Sequence, residues 1–176
     1  CHNPGMGWEN GQPTGRGAAG ERLRRHTPTV HDLAWATSLF WDGRTRRLED
    51  QVLVPLTDEL EMAQDPQELL VELSQIPAYV RAFDKAFPER GLTLATVTEA
   101  IATYERTLVS GRSPFDRWVE GDDNAIPEAA KRGFELFVGK AECEACHEGW
   151  AFTDGAFHDV GMPAGDDLGR FAITGD

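Results

Sequence analysis

Cys143-Glu144-Ala145-Cys146-His147 places two thiols and an imidazole side by side in one short stretch. The Cys-x-x-Cys-His spacing is that of c-type haem attachment, in which two thioether bonds tether the porphyrin edge and the adjacent His is set beneath the iron as its proximal ligand. A zinc centre would need two further ligands. Of His26, His31 and His158, only His158 stands near enough in sequence to offer one. A bare redox dithiol would not need the His and would be expected in a strand-helix unit that the sequence does not show. Haem is the preferred reading, with zinc or free thiols as alternatives. Cys1-His2 repeats the last two residues of the motif. With a Cys-x-x upstream, Cys1 would be the second thioether position and His2 the proximal ligand of a first haem; otherwise Cys1 is a free thiol beside a cut. The chain opens on Cys rather than Met and stops at Thr174-Gly175-Asp176, so it reads as a fragment of a longer one.

The elements that must carry these residues are mostly helical by pattern. The 176 residues, 40% hydrophobic and 27% charged, suit one large or two small folded domains. No apolar run approaches the length of a membrane span. With 30 acidic against 17 basic residues and a net charge of −13, nucleic-acid binding would need a local basic stripe, and only Arg22, Arg24 and Arg25 with Arg44, Arg46 and Arg47 approach one. Residues 1–28 are Gly- and Pro-rich and carry no periodicity, as expected of a loop region that wraps a cofactor and borrows its apolar surface. A short helix is expected between His31 and Phe40, ending at the Trp41-Asp42-Gly43-Arg44 turn. Asp65-Pro66-Gln67-Glu68 predicts a capped helix start before Leu69, Leu70, Leu73 and Ile76, with Val80, Phe83 and Phe87 continuing after Pro77. Leu94, Val97, Ile101, Tyr104 and Leu108 predict a helix over 93–109, with Thr96 and Glu99 as a capping box. Gly111 to Asn124 reads as a polar connector around Phe115 and Trp118 and as a domain boundary. A last helix runs from about Pro127 to Gly139, with Ala130, Phe134 and Phe137 on one side. No sustained alternation predicts strands.

In combination these stretches resemble the bacterial di-haem cytochrome c peroxidases and their MauG-type relatives. The likeness rests on Phe40-Trp41-Asp42-Gly43-Arg44, with Thr27-Pro28-Thr29-Val30 before it and Leu48-Glu49-Asp50-Gln51 and Glu61-Met62 after it. It rests also on Tyr104-Glu105-Arg106-Thr107-Leu108 with Ser113-Pro114-Phe115-Asp116, on Gly133-Phe134-Glu135-Leu136-Phe137, and on Phe157-His158-Asp159-Val160-Gly161 with Asp167-Leu168-Gly169-Arg170. The resemblance covers essentially the whole chain and implies an all-α fold of two cytochrome c-like haem domains with long irregular loops. Residues 1–111 would form the N-terminal peroxidatic domain, lacking the start of its haem motif, and 112–176 part of the electron-transfer domain.

The resemblance implies two covalent haem c groups: one anchored through Cys1 with His2 on the iron, where peroxide reacts, the other on Cys143, Cys146 and His147. Trp41 matches the tryptophan between the haems that mediates electron transfer. Glu61 matches the distal-pocket carboxylate that acts as acid and base on peroxide, and Gln51 a pocket amide nearby. By composition alone Glu59 is as good a candidate as Glu61. The family further implies hydrogen peroxide as substrate, a small cytochrome c or copper protein as electron donor, a periplasmic location and compatibility with a homodimer, without a membrane span or nucleic acid.

Two departures carry weight. Peroxidases that rest with a blocked first haem have a second His ligand some two dozen residues before the Trp, and residues 3–25 contain no His. That points to an open first haem, as in the MauG branch or in peroxidases that need no reductive activation. His26 stands where the family usually has an Asn that helps bind calcium between the domains, and calcium prefers oxygen ligands; the site is in question and His26 reads as a hydrogen-bonded loop residue. The sixth ligand of the second haem, Met in the peroxidases and Tyr in MauG, would lie beyond Asp176, and Met162 reads as packing. The leading expectation is a peroxidase that reduces hydrogen peroxide to water. Its alternatives are a MauG-like oxidase of a protein side chain, a non-catalytic electron carrier with one haem, and a zinc-bound helical module.

Overall fold

The computed structural model describes residues 1–163 and 165–175. They are mostly helical: α1 (Leu48–Thr57), α2 (Pro66–Ser74), α3 (Pro77–Ala86), α4 (Leu94–Glu105), α5 (Pro114–Val119), α6 (Glu128–Val138) and α7 (Phe171–Thr174). Extended pairing among the described residues is confined to isolated bridges, Asn3 with Glu9, Arg16 with Arg22 and Leu39 with Thr45. The chain divides into two compact units, Cys1–Val109 with Gly165–Asp176, and Ser110–Ala164.

The first unit is built on α1 packed against α4. Leu48, Val52 and Leu56 recur every four residues along α1 and are all buried, which puts them on one helical face. The core gathers Leu39, Leu48 and Ala102, with Leu33 and Phe40 against them. No helix was assigned over α1 from the sequence, and the structure carries it through Pro55 in its last turn. The helix expected between His31 and Phe40 is not formed: only Leu33–Trp35 makes a single 3-10 turn. Asp32 before it is left-handed at φ 60°, with no side-chain cap. Leu33, Leu39 and Phe40 reach the core from irregular backbone instead.

The α2 start follows its sequence, since Asp65 Oδ1 accepts from the amides of Gln67 at 2.7 Å and Glu68 at 3.0 Å. At α4 the box is displaced by one turn. Thr93 and Thr96 cap reciprocally, the Thr93 amide donating to Thr96 Oγ1 at 2.9 Å and the Thr96 amide to Thr93 Oγ1 at 3.2 Å. Glu99 is drawn off by Arg90, whose two Nη atoms each donate to it at 2.7 Å. Thr96 is fully buried and its hydroxyl lies 2.8 Å from the Gly91 carbonyl. Thr96→Val is therefore expected to destabilise the protein by roughly 0.5–1.5 kcal/mol, because it removes the hydrogen bonds that the buried hydroxyl makes to the Thr93 amide and the Gly91 carbonyl. Thr93→Ala should cost about 1 kcal/mol as a lost cap. Urea unfolding should show a lower midpoint at unchanged slope for each; an unchanged Thr96→Val midpoint would refute the assignment.

In the second unit the stretch expected to be a connector contains α5, opened by a Ser113–Asp116 capping box that the sequence reading passed over. The expected helix after Pro127 is present as α6, with Pro127 at its cap and Gly139 beyond its end. A single 3-10 turn, Cys143–Ala145, follows.

Candidate functional site

Two imidazoles are held in the same way, one in each unit. His147 Nδ1 lies 3.0 Å from the Phe152 carbonyl, five residues on. His2 Nδ1 lies 2.8 Å from the Trp8 carbonyl, six residues on. A carbonyl only accepts, so each Nδ1 carries the proton and each Nε2 keeps its lone pair, the atom a metal takes. Each loop turns back through a left-handed glycine, Gly7 at φ 67° and Gly149 at φ 68°. The accepting residue is then itself left-handed, Trp8 at φ 61° and Phe152 at φ 52°. A bulky side chain in that region costs roughly 1–3 kcal/mol, which the surroundings must over-determine. Trp8 and Phe152, whose carbonyls hold the two imidazoles, were not singled out in the sequence; their only signal was an aromatic at similar spacing after each Cys-His pair.

The thiols suit the same chemistry. Cys143 and Cys146 are free and half-buried, and the tight turn between them lets the His147 amide donate to the Cys143 carbonyl at 3.0 Å. Cys1 is free and exposed, its Sγ 3.3 Å from the Arg16 carbonyl. Around His147 stands a wall of rings: Phe137 lies 6.1 Å from it, Phe152 5.8 Å from Phe137, and Phe134 5.1 Å from Phe115. Yet none of the described residues 110–163 is buried. Paired thiols, an imidazole with a fixed tautomer and an aromatic surface without a core fit a covalent haem c, with Cys143, Cys146 and His147 holding it. The same imidazole arrangement fits Cys1 and His2 to a first one.

Trp41 is 57% exposed, and its Nε1 donates to the His26 carbonyl at 2.8 Å. His26 is a hydrogen-bonded loop residue, with Nδ1 2.7 Å from the Gln12 carbonyl and Nε2 3.3 Å from the Glu9 carboxylate. Asp42, next to Trp41, is buried and takes Arg44 Nη1 at 2.9 Å together with an Arg25 guanidinium contact. Both cations favour its charged form. Burial opposes them, and the balance leaves the Asp42 carboxyl below its ordinary range.

Glu61 is half-buried where Glu59 is exposed. Burial first, then the charge of Asp58, pushes the Glu61 carboxyl above its ordinary range, while Arg44 and His2 pull it partly back. Its backbone is fixed on both sides: the Glu61 amide donates to Asp58 at 3.0 Å and its carbonyl accepts from Ala18 at 2.8 Å. Gln51 is half-buried on α1. Met162, expected to pack, is instead 77% exposed, because its loop crosses no core.

A family profile described as di-haem cytochrome c peroxidase matches residues 1–124. The chain is 51% identical over 174 residues to the methylamine utilization protein MauG of Methylorubrum extorquens, covering 97% of this chain and 48% of that protein. It is 37% identical over 185 residues to the cytochrome c551 peroxidase of Pseudomonas aeruginosa, covering 99% of this chain and 53% of that one. The fold is similar to the crystal structure of a MauG-like protein associated with microbial copper homeostasis, with a TM-score of 0.84 at 27% identity, over 100% of this chain and 58% of the other. The chain thus spans about half the length of the curated relatives it matches. Its helical, nearly strand-free architecture is that of the MauG-like di-haem proteins.

Proposed function

This chain belongs to the di-haem cytochrome c peroxidase family, and on that premise we propose that the whole protein reduces hydrogen peroxide to water. Two electrons and two protons convert one peroxide to two waters. The electrons come from a small soluble redox protein, a cytochrome c or a copper protein, in the periplasm, where bacteria attach haem c. Haem, when bound, supplies the redox centres; the chain's residues hold, orient and protonate. His2 and His147 are the proximal ligands, with Cys1, Cys143 and Cys146 as thioether anchors. Glu61 moves a proton from one peroxide oxygen to the other, which its half-buried site and raised proton affinity favour. Gln51 orients the peroxide, and Trp41 relays electrons. The observation that carries this reading is the matched pair of imidazoles, each with its proton fixed on Nδ1 by a carbonyl.

A second reading shares every one of these residues and changes the electron source to a protein side chain, as in a MauG-like oxidase. The 51% identity to a MauG and the lack of any His in residues 3–25 favour it. Pyridine haemochrome analysis of the full-length protein, with spectra before and after peroxide in the oxidised and half-reduced forms, tests both. Two haems per chain and peroxide-dependent oxidation of a reduced small cytochrome support the peroxidase. Two haems, a long-lived oxidised state without prior reduction, and no turnover of that donor support the oxidase. A single haem that peroxide leaves unchanged would sink both and leave an electron carrier. Trp41→Phe should slow the passage of electrons between the haems by about an order of magnitude at unchanged haem content, read by stopped-flow absorbance; an unaltered rate would remove Trp41 from the relay.

A further inference from the structure

We propose that Arg25 is a positioning residue for Trp41, a single guanidinium that fixes the indole's loop by joining it to the Asp167-Leu168-Gly169-Arg170 segment. The inference rests on the reading of Trp41 as an electron relay. Arg25 Nε and Nη2 form a fork on the two oxygens of Asp167, at 2.5 and 2.6 Å. Its remaining nitrogen, Nη1, donates to the buried carboxylate of Asp42. One side chain thereby spans two carboxylates whose residues lie 17 and 142 positions away. The same short stretch grips the indole itself, since the residue after Arg25 offers the carbonyl that accepts from Trp41 Nε1. Arg170 closes the loop from the other side, with Nη1 2.9 Å from the Asp42 carbonyl and 3.3 Å from that of Gly43.

The loop needs such holding. Phe40, just before the indole, is left-handed at φ 65°, with the Arg44 guanidinium 3.5 Å from its ring centroid. A bulky residue stays in that region only where its neighbours over-determine it. Trp41 is more than half exposed, and its place is set through Asp42, the His26 carbonyl and the His26 ring 6.3 Å away. Lysine could not replace Arg25, because an ammonium is a point charge without the planar fork that bridges two carboxylates.

The test uses the full-length protein with both haems in place and compares Arg25→Gln, Arg25→Lys and Asp167→Asn, alone and combined with Trp41→Phe. Asp167→Asn weakens the exposed half of the fork and leaves Asp42 paired, so it guards against loss of folding in the Arg25 variants. Arg25→Gln is expected to slow electron passage between the haems by up to about tenfold, no more than Trp41→Phe does, because misplacement of a working group can cost as much as its loss. Arg25→Lys should fall near Gln, and Asp167→Asn should lie between them and the parent. In the Trp41→Phe background none of the three should slow it further. A parent-like rate in Arg25→Gln, or an equal further loss in the Trp41→Phe background, would overturn the proposal. The fluorine NMR line of 5-fluorotryptophan at Trp41, assigned by its loss in Trp41→Phe, reports the clamp independently of the relay. It should be single in the parent and shifted or split in Arg25→Gln. If Trp41→Phe leaves the rate unchanged while the line still responds to Arg25→Gln, the relay reading fails and the clamp stands; an unresponsive line removes the clamp.

Discussion

Glu61→Gln is expected to lower peroxide turnover by about 10²–10⁴-fold, the range of a lost general acid-base group, with haem content unchanged. The amide keeps the shape and the burial of the carboxylate and removes only its ability to take and return a proton. The pH profile separates this from a steric effect. Burial and Asp58 raise the proton affinity of Glu61, and the group works as a base only when ionised. In the parent, activity should therefore fall, as pH drops, through a value above that of an ordinary glutamate, and this limb should vanish in Glu61→Gln. Stability should move the other way. A carboxyl with a raised folded pKa binds more protons folded than unfolded, so its burial costs stability as pH rises past the unfolded value. Glu61→Gln should leave thermal stability at neutral pH unchanged or increased. A variant that loses activity only in proportion to lost folded protein would refute a proton-transfer role. Glu59→Gln, at the exposed neighbour, should leave turnover at the parental level.

Cys143→Ser combined with Cys146→Ser is expected to halve the haem content of the full-length protein and to leave the stretch between residues 110 and 163 open to proteases. No described residue in that stretch is buried, and its rings meet one another only at a half-buried wall. A haem bound at Cys143, Cys146 and His147 would supply apolar surface to that wall, as metal binding completes other small domains. The first unit has a core of its own, the buried faces of α1 and α4, and should resist cleavage. Limited proteolysis with mass mapping decides the matter. Cuts confined to residues 110–163 are the expected pattern, and resistance there equal to the parent would mean that the unit folds without its haem.

The chemistry of this protein was legible in the sequence wherever it is local. Cys143-Glu144-Ala145-Cys146-His147 carries its ligands within a single turn, and Asp65-Pro66-Gln67-Glu68 and Leu94-Val97-Ile101 write caps and a 3.6-residue period into neighbouring positions. No helix over α1 was read from the sequence; packing against α4 buries Leu48, Val52 and Leu56 on one face of it and holds it together through Pro55. The helix expected over His31 to Phe40 failed for the converse reason: Leu33, Leu39 and Phe40 are satisfied by contacts with α1 and α4 that do not require helical backbone, while Ala34 and Trp35 stay exposed. Sequence also left Glu59 and Glu61 equivalent, and only the fold half-buries one and exposes the other. The carbonyls that fix His2 and His147, and the guanidinium that joins Asp42 to Asp167, were beyond any local pattern. They depend on left-handed turns and on a pairing across 142 residues. Residue types and short spacings therefore determined which groups this protein brings to its chemistry. The tertiary structure decided their protonation, their burial and their partners, because electrostatic and solvation energies depend on distances in space and not on positions along the chain.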